Sequence, residues 1–326
     1  MVAISIIICS HNPRPDYLRR TLAALKSQTL SKEAWELLLV DNASASRLAD
    51  EHDLSWHPRA KHLREDEVGL TAARLCGIRM SQGEWLVFVD DDNILAPDYL
   101  DQVIALTAAH PQLGAMGAGV LEPEFESAPV NQIKPFLHRL AIRQVSTALW
   151  SNNPRDGMCC PFGAGLCANR ATAFGFAKIV QQLKCQAVLG RRGNQLNSNE
   201  DDIFAWAAVD AGLGFGVFPA LRITHLIPAR RVTQQYMLQL LNDSSFSECV
   251  LYYLLDGVKP RKFGLNLIAR VLFKSPRALF FMRCRLASAR GEDRAARLIF
   301  GEHLVPAARF ISAMASPNGL EAVNRR

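Results

Sequence analysis

A run of five apolar residues, Trp85–Val89, stops abruptly at Asp90-Asp91-Asp92. The run is short, follows a Gly-Glu turn and lacks alternation, which predicts a strand buried on both faces. Three carboxylates at the end of such a strand repel one another, so the arrangement implies a compensating cation or a ligand that carries one. Hard oxygen ligands favour Mg2+ or Mn2+, ions that also grip diphosphates. The triplet therefore points to an enzyme handling a nucleotide-diphosphate compound, with a solvated turn as the plain alternative.

The segments around this strand alternate in type. Strands are expected at Ala3–Cys9, Glu36–Val40, Lys61–Arg64 and Gly114–Val120, and helices at Asp16–Gln28, Gly69–Met80 and Pro97–Ala109. Apolar strands alternating with amphipathic helices predict an α/β fold with a parallel sheet covered on both faces. Ligands of such sheets sit beyond the carboxyl ends of the strands. Here those ends are His11-Asn12, Asp41-Asn42 and Asp90-Asp91-Asp92, polar and acid-rich, as one shared pocket would require. No GxGxxG follows the first strand, which disfavours a dinucleotide fold. Further on, Pro161–Gly165 reads as a small-residue turn before a strand at Leu166–Ala168. Arg191–Asn199 reads as a polar loop leading into Glu200-Asp201-Asp202, and Ile203–Ala211 as a helix. Gly216–Pro219 and Arg222–His225 are strand-like, and the pattern past Val232 is mostly helical.

With 326 residues, 49% hydrophobic and 21% charged, the chain can bury one large core or two domains. Met1–Ile8 lacks a basic flank and a small-residue cleavage site, so it is expected to be a first strand and not a signal peptide. No uncharged apolar stretch is long enough to span a bilayer. The eight cysteines are scattered without a CxxC, which argues against a zinc ribbon or a disulfide framework and for a reducing, cytoplasmic setting. The net charge of +6 is uneven: Lys259–Arg297 holds eleven Lys and Arg against two acids, so the rest of the chain is net negative by about three. In that tail Phe263, Leu267, Val271 and Phe273 alternate with Arg270 and Lys274, and Ala278–Met282 lies beside Arg283 and Arg285. Two readings stay open, a basic amphipathic surface docking at the inner face of a plasma membrane and a helical layer or oligomer contact with a solvated basic face.

Seven motifs in order resemble the inverting glycosyltransferases of family 2, which have the GT-A fold. They are Ser5–Asn12, Leu38–Ser44, Gly69–Arg74, Gly83–Asp92, Phe162–Gly165, Asn199–Asp201 and Arg222–His225, covering about residues 3–240. The resemblance implies a Rossmann-like, mostly parallel sheet in a catalytic domain over 1–230. Residues 1–122 would form its nucleotide-sugar half and 123–230 its acceptor half, with a helical extension over 231–326. It implies transfer of a sugar from a nucleotide-diphosphate-sugar donor to a hydroxyl of a glycan or lipid-linked acceptor, plausibly in bacterial polysaccharide assembly, with no nucleic acid involved.

The resemblance also distributes roles. Asp92 would bind Mn2+ or Mg2+, and His225 would complete the metal shell. Asp90 and Asp91 would face the ribose and donor sugar. Asp41 would sit at the nucleoside, with Asn42 beside it where a second Asp is common, leaving the base open. His11 would stack on the base or be an ordinary loop histidine. Arg74 would lie near the nucleotide or form a surface salt bridge. Asp201 would take the acceptor proton, supported by Glu200, with Asp202 the alternative base; Asn199 could also cap the following helix. Arg230 and Arg231 could meet the diphosphate or lie on the surface. Gly163–Gly165 would wall the sugar site or form a simple tight turn. Trp150 and Trp206 would stack on sugar rings or pack internally. The rival functions are a nucleotidyltransferase, which usually opens with a Gly-rich basic loop absent here, and a non-catalytic sugar-nucleotide-binding scaffold.

Overall fold

Isoleucine-rich β1 (Ile4–Ser10) is covered on both faces, and this fixes the layers around it. The computed structural model describes residues 2–183, 189–193, 195–260 and 276–301. After β1 come α1 (Pro15–Lys26), β2 (Trp35–Asn42), the single turn α2 (Leu48–Glu51), β3 (Ala60–Glu65), α3 (Leu70–Met80) and β4 (Trp85–Val89). Next are β5 (Asn93–Leu95), α4 (Tyr99–Ala109), β6 (Leu113–Phe125), β7 (Arg143–Gln144), β8 (Leu149–Ser151) and β9 (Leu166–Asn169). The chain continues through α5 (Arg170–Leu183), α6 (Asp202–Asp210), β10 (Gly214–Ile227), α7 (Gln234–Asp256) and α8 (Pro276–Gly301).

Successive side chains of a strand point to opposite faces, so the unbroken apolar runs feed two cores. Ile4, Ile6 and Ile8 pack with Leu37 and Leu39 of β2, Val87 and Val89 of β4, and the inner faces of α1 and α4. Ile7, Leu38, Val40, Leu86 and Phe88 face the other way, onto α3, α5 and α6. There Phe204 stacks on Phe176 with centroids 4.1 Å apart. The sheet runs β3-β2-β1-β4-β9-β6-β10-β5, with β7 on β6 and β8 on β10. Its long ladders, β3–β2–β1–β4 and β6–β10, are parallel, whereas β9 and β5 pair antiparallel to their neighbours. The sheet is thus mostly parallel, as expected.

Three local readings change. The two short strands expected at 216–219 and 222–225 are one strand, β10, interrupted by a register shift between Phe218 and Arg222. Asn199 does not cap α6; it adopts φ +70, and its side-chain amide donates to Asp202 instead. Helix α5 had no sequence expectation, although Ala173, Phe176, Val180 and Leu183 lie at helical spacing and are buried. Its first turn is held by Asn169, whose Oδ1 accepts from the Thr172 amide at 2.8 Å.

Helix α7 starts at Thr233, whose hydroxyl accepts from the Tyr236 amide at 3.2 Å, and ends at Gly257 in the left-handed region. Met237, Leu240 and Leu241 share a cluster with Phe280, Cys284 and Ala287 of α8, while Val250, Leu251, Leu254 and Leu255 join the core under α5 and α6. The segment after residue 231 is therefore continuous with the core through α7. Within α8, Leu279, Phe281 and Phe300 are exposed. The Phe263–Lys274 pattern lies outside the described residues. No helix among the described residues is long and apolar enough to cross a membrane.

The two helices cross where a Cβ on Gly291 would lie 2.0 Å from the Asn242 carbonyl oxygen, whereas a Cβ on Gly301 would meet nothing within 4 Å. Gly291→Val should lower the urea midpoint by about 1–3 kcal/mol of stability through overpacking. Gly301→Ala should leave it unchanged, and equal midpoints for both variants would contradict this packing.

Candidate active site

The tips of β1, β2 and β4 open into a cavity of about 900 Å³ that is also lined by the loop before α6 and by the turn after β10. Asp90, Asp91, Asp92, Glu200, Asp201, Asp202 and His225 all line it, together with His11, Asn42, Arg74, Arg191, Arg230 and Arg231. Residues more than a hundred positions apart thus share one space.

The β5–β10 ladder makes this possible. The three residues after the acidic triplet pair antiparallel with Ile223–His225, so that His225 lies opposite Asn93. The Leu226 amide donates to the Asp92 carbonyl at 2.9 Å, locking the register one residue further. As a result His225 Nε2 stands 3.6 Å from Asp92 Oδ2. A third group is present: Arg231 Nη1 lies 3.0 Å from the same Oδ2 and 3.2 Å from His225 Nε2. The Asn93 amide donates to Asp92 Oδ1 at 3.0 Å. Burial would raise the Asp92 carboxyl, but the Arg231 guanidinium outweighs it and holds the group well below the usual carboxylate range.

Its neighbours behave oppositely. Burial, followed by the Asp92 charge, pushes Asp91 up to about 7 and raises Asp90 as well. Ser10 donates a hydrogen bond to Asp91 Oδ2, and Thr21 donates to the Asp91 carbonyl at 3.1 Å. The triplet therefore resists carrying three full negative charges unless a further cation stands beside it.

Asp92 Oδ2 and His225 Nε2 converge on a space already filled by a cation, the Arg231 guanidinium. An arginine N–H only donates, so the contact at 3.2 Å uses His225 Nε2 as acceptor and leaves its lone pair facing that space. A carboxylate and an imidazole suit Mn2+ or Mg2+, which take their remaining ligands from water and substrate phosphate. No group of three His, Cys, Asp or Glu side chains able to hold a metal occurs among the described residues. The two-residue set fits an ion that shares its shell with a diphosphate.

Across the cavity, Asp201 stands at the start of α6, and its Oδ2 accepts from the Gly163 amide at 2.9 Å. Glu200 is buried, and its Oε1 pairs with Arg74 Nη1 at 3.1 Å. Arg74 is itself buried at the cavity wall, with its guanidinium over the Phe88 ring, so its ion pair is not a surface salt bridge. Burial pushes Glu200 up to about 7 despite Arg74, and its Oε2 has no partner among the described residues. Asp202 is committed elsewhere: Cys160 donates to Oδ1 at 3.1 Å and Asn199 to Oδ2 at 2.8 Å. Burial and then the Asp201 charge push it up to about 6. Asp202 thus has both carboxylate oxygens engaged, whereas Glu200 keeps Oε2 and Asp201 keeps one oxygen outside these contacts; of those two, Glu200 is buried against Arg74 and Asp201 is the more exposed. A Cβ on Gly163 would lie 2.3 Å from Arg74 Nη2, so any larger residue there would have to move the guanidinium that Glu200 holds.

The nucleoside expectations fare unevenly. Asp41 is not part of the cavity lining. Its oxygens accept from the Ser44 and Leu48 amides at 2.9 and 3.2 Å and from Arg64 at 2.7 Å, so it shapes the loop after β2 and does not present a free carboxylate. Asn42 does line the cavity, yet its side chain is spent on the Glu65 and Glu67 carbonyls and the Gly69 amide. His11 is exposed at the mouth; its Nδ1 meets the Asn42 carbonyl at 2.6 Å and its Nε2 meets the Asn12 amide at 3.0 Å, fixing the ring. Asn12 and the non-glycine Ala43 both have positive φ, at 48° and 52°, and are held by hydrogen bonds between the Asn12 and Ser44 loops. Trp150 is half exposed on β8, whereas Trp206 is buried; neither lines the cavity. Arg191 was missed in the sequence. It lines the cavity and donates to the Tyr236 hydroxyl at 3.3 Å, and the only signal for it was the polar loop that carries it.

A profile of the family described as Glycosyl transferase family 2 matches residues 5–162, from β1 past the acidic triplet to the wall at Phe162. An uncharacterized glycosyltransferase of Haemophilus influenzae is 31% identical over 110 residues, 34% of this chain and 36% of that protein. An N-acetylglucosaminyltransferase of Mesorhizobium japonicum is 30% identical over 170 residues, 51% of this chain and 37% of that protein. The matches thus span little more than a third of these relatives' length. Among solved structures, a mannosyltransferase of Pyrobaculum calidifontis in complex with GDP-Man and Mn2+ superposes with a TM-score of 0.50 at 15% identity, over 96% of this chain and 78% of that one, a likeness of fold. Motif order, strand-tip cavity and these matches agree: residues 5–162 of the chain match glycosyltransferase family 2, and the chain has the GT-A fold.

Proposed function

We propose that the protein is a divalent-metal-dependent, inverting glycosyltransferase. It moves a sugar from a nucleotide-diphosphate-sugar donor to a hydroxyl of a glycan or lipid-linked acceptor in polysaccharide biosynthesis. The observation that carries this reading is that Asp92 with His225, and Asp201 with its Gly163 anchor, line one cavity. The presence of both sets favours an enzyme over a sugar-nucleotide scaffold, which has no need of an anchored base. The GDP-Man and Mn2+ held by the mannosyltransferase of like fold are in keeping with this donor chemistry.

The roles follow from the contacts. Mn2+ or Mg2+ bound through Asp92 and His225 would neutralise charge developing on the leaving diphosphate. Asp201 takes the acceptor proton, its carboxylate aimed by the Gly163 amide. Glu200 with Arg74 forms the buried support beneath that base. Asp90 and Asp91 face the donor's ribose and sugar, and His11 borders the base. Residues 123–230 supply the acceptor half of a catalytic domain over 1–230. A cytoplasmic location at the inner face of a plasma membrane suits a lipid-linked acceptor. The exposed Leu279 and Phe281 beside exposed Arg283 and Arg285 support such a contact.

Asp201→Asn should retain Mn2+-dependent nucleotide binding in thermal-shift assays while transfer falls roughly 10²–10⁴-fold. Full activity in that variant removes Asp201 from the base role. Gly163→Ala should lower kcat by about a hundredfold with little change in donor KM, because the base moves while the donor pocket stays. NMR of the product should show an inverted anomeric centre, and retention would dismiss single displacement.

A further inference from the structure

Asp92 and His225 present two acceptor sites to one small space, and the chain fills that space with its own cation. Arg231 Nη1 is within hydrogen-bond distance of both, at 3.0 Å from the carboxylate and 3.2 Å from the imidazole nitrogen. Both partners are buried, and the Arg231 side chain is only 18% exposed. A buried carboxylate stays ionised only with a cation beside it, so Asp92 needs one partner or another to keep its charge. The lone pairs that receive the guanidinium are the same ones a divalent ion would need. The two cations therefore exclude one another.

From this we infer that Arg231 is a displaceable counter-ion: it holds Asp92 and His225 in the empty enzyme and leaves them when a divalent ion arrives with its diphosphate. This rests on the metal-dependent reading above and adds to it a residue that sets how tightly metal is held before the donor is present.

The local structure suits an exchange confined to a side chain. Arg231 lies in the short 3-10 turn Ala229–Val232 that follows β10. That turn is fastened at its end by the Thr233 cap of α7 and by the Arg231 amide, which donates to the Pro228 carbonyl at 2.9 Å. The backbone is thus fixed, while the guanidinium hangs from a long, unbranched stem. Its Nε is buried and has no partner among the described residues, so the contact with Asp92 does not use the full fork. The fork is free to make a better match with a phosphate, which accepts two parallel N–H groups. The cavity that a diphosphate would enter is lined by Arg191 and Arg230 as well as Arg231. Exchange keeps the charge balanced at each stage: Arg231 leaves one anion for another as the metal takes its place. Metal and diphosphate binding are consequently coupled, each favouring the other.

The test measures Mn2+ binding to the full chain by electron paramagnetic resonance, with Mn2+ alone and with inorganic pyrophosphate added. Arg231→Gln should bind Mn2+ alone roughly ten- to a hundredfold more tightly than the natural protein, because no resident cation has to leave. The gain that pyrophosphate adds should shrink in that variant, and Arg231→Lys, which keeps a cation, should stay near the natural protein. Unchanged or weaker Mn2+ binding by Arg231→Gln overturns the exchange. If that binding is lost in Asp92→Asn, the metal reading survives the loss of the exchange. If neither the natural protein nor Arg231→Gln binds Mn2+ at all, both fall together. A second measurement needs no variant. Phenylglyoxal labelling of Arg231, read by peptide mass spectrometry, should rise when Mn2+ is added; protection or no change overturns the exchange.

Discussion

A three-residue antiparallel ladder organises the site. Asn93–Leu95 lies directly after the acidic triplet and pairs with Ile223–His225 near the end of the long strand β10. A one-residue slip would turn His225 to the other face of the sheet and carry Arg231 away from Asp92. The ladder holds its register because β10 is also paired with β6 over most of its length and because the Leu226 amide reaches back to the Asp92 carbonyl. The chemistry of Asp92 thus depends on a strand more than a hundred residues downstream, and the fold exists in part to bring that strand there.

Charge explains most of what surrounds the ladder. Asp90, Asp91 and Asp92 stand at one strand end, and Glu200, Asp201 and Asp202 stand at the start of a helix across the cavity. Each cluster is answered by an arginine, Arg231 on Asp92 and Arg74 on Glu200. In the first cluster the arginine wins, so Asp92 falls below the carboxylate range while burial raises Asp91; in the second burial wins, and Glu200 is raised despite Arg74. Gly163 links the halves, with its amide on Asp201 and its missing side chain leaving room for Arg74. Asp201, Glu200 with Arg74, and the wall of the cavity at Gly163 are therefore one packed unit.

Much of this was legible in the sequence, where a property is local. The buried strands declared themselves through unbroken Ile, Leu and Val runs, and their polar tips marked the cavity at His11, Asn42 and Asp90–Asp92. The order of seven short motifs carried the resemblance to the family. What was not legible depends on register and on side-chain direction. Residues 93–95 look like loop because a three-residue strand has too few positions to show a period. Arg231 reads as one of two adjacent arginines, and only the turn after β10 selects it. Asp41 and Asn42 look like ligands because their types suit a nucleoside, yet their oxygens and amide are absorbed by the loops they hold in place. Asn199 looks like a helix cap and instead takes a left-handed conformation that directs its amide to Asp202.

The central claim is that one divalent ion is held by Asp92 and His225 in the same cavity as Asp201. Crystals soaked with Mn2+ and a nucleoside diphosphate, with diffraction recorded at a wavelength where manganese scatters anomalously, test it directly. The account predicts an anomalous peak bonded to Asp92 Oδ2 and His225 Nε2, with the Arg231 guanidinium withdrawn from the carboxylate. A diphosphate bound with no manganese at that position, and Arg231 still on Asp92, would contradict it.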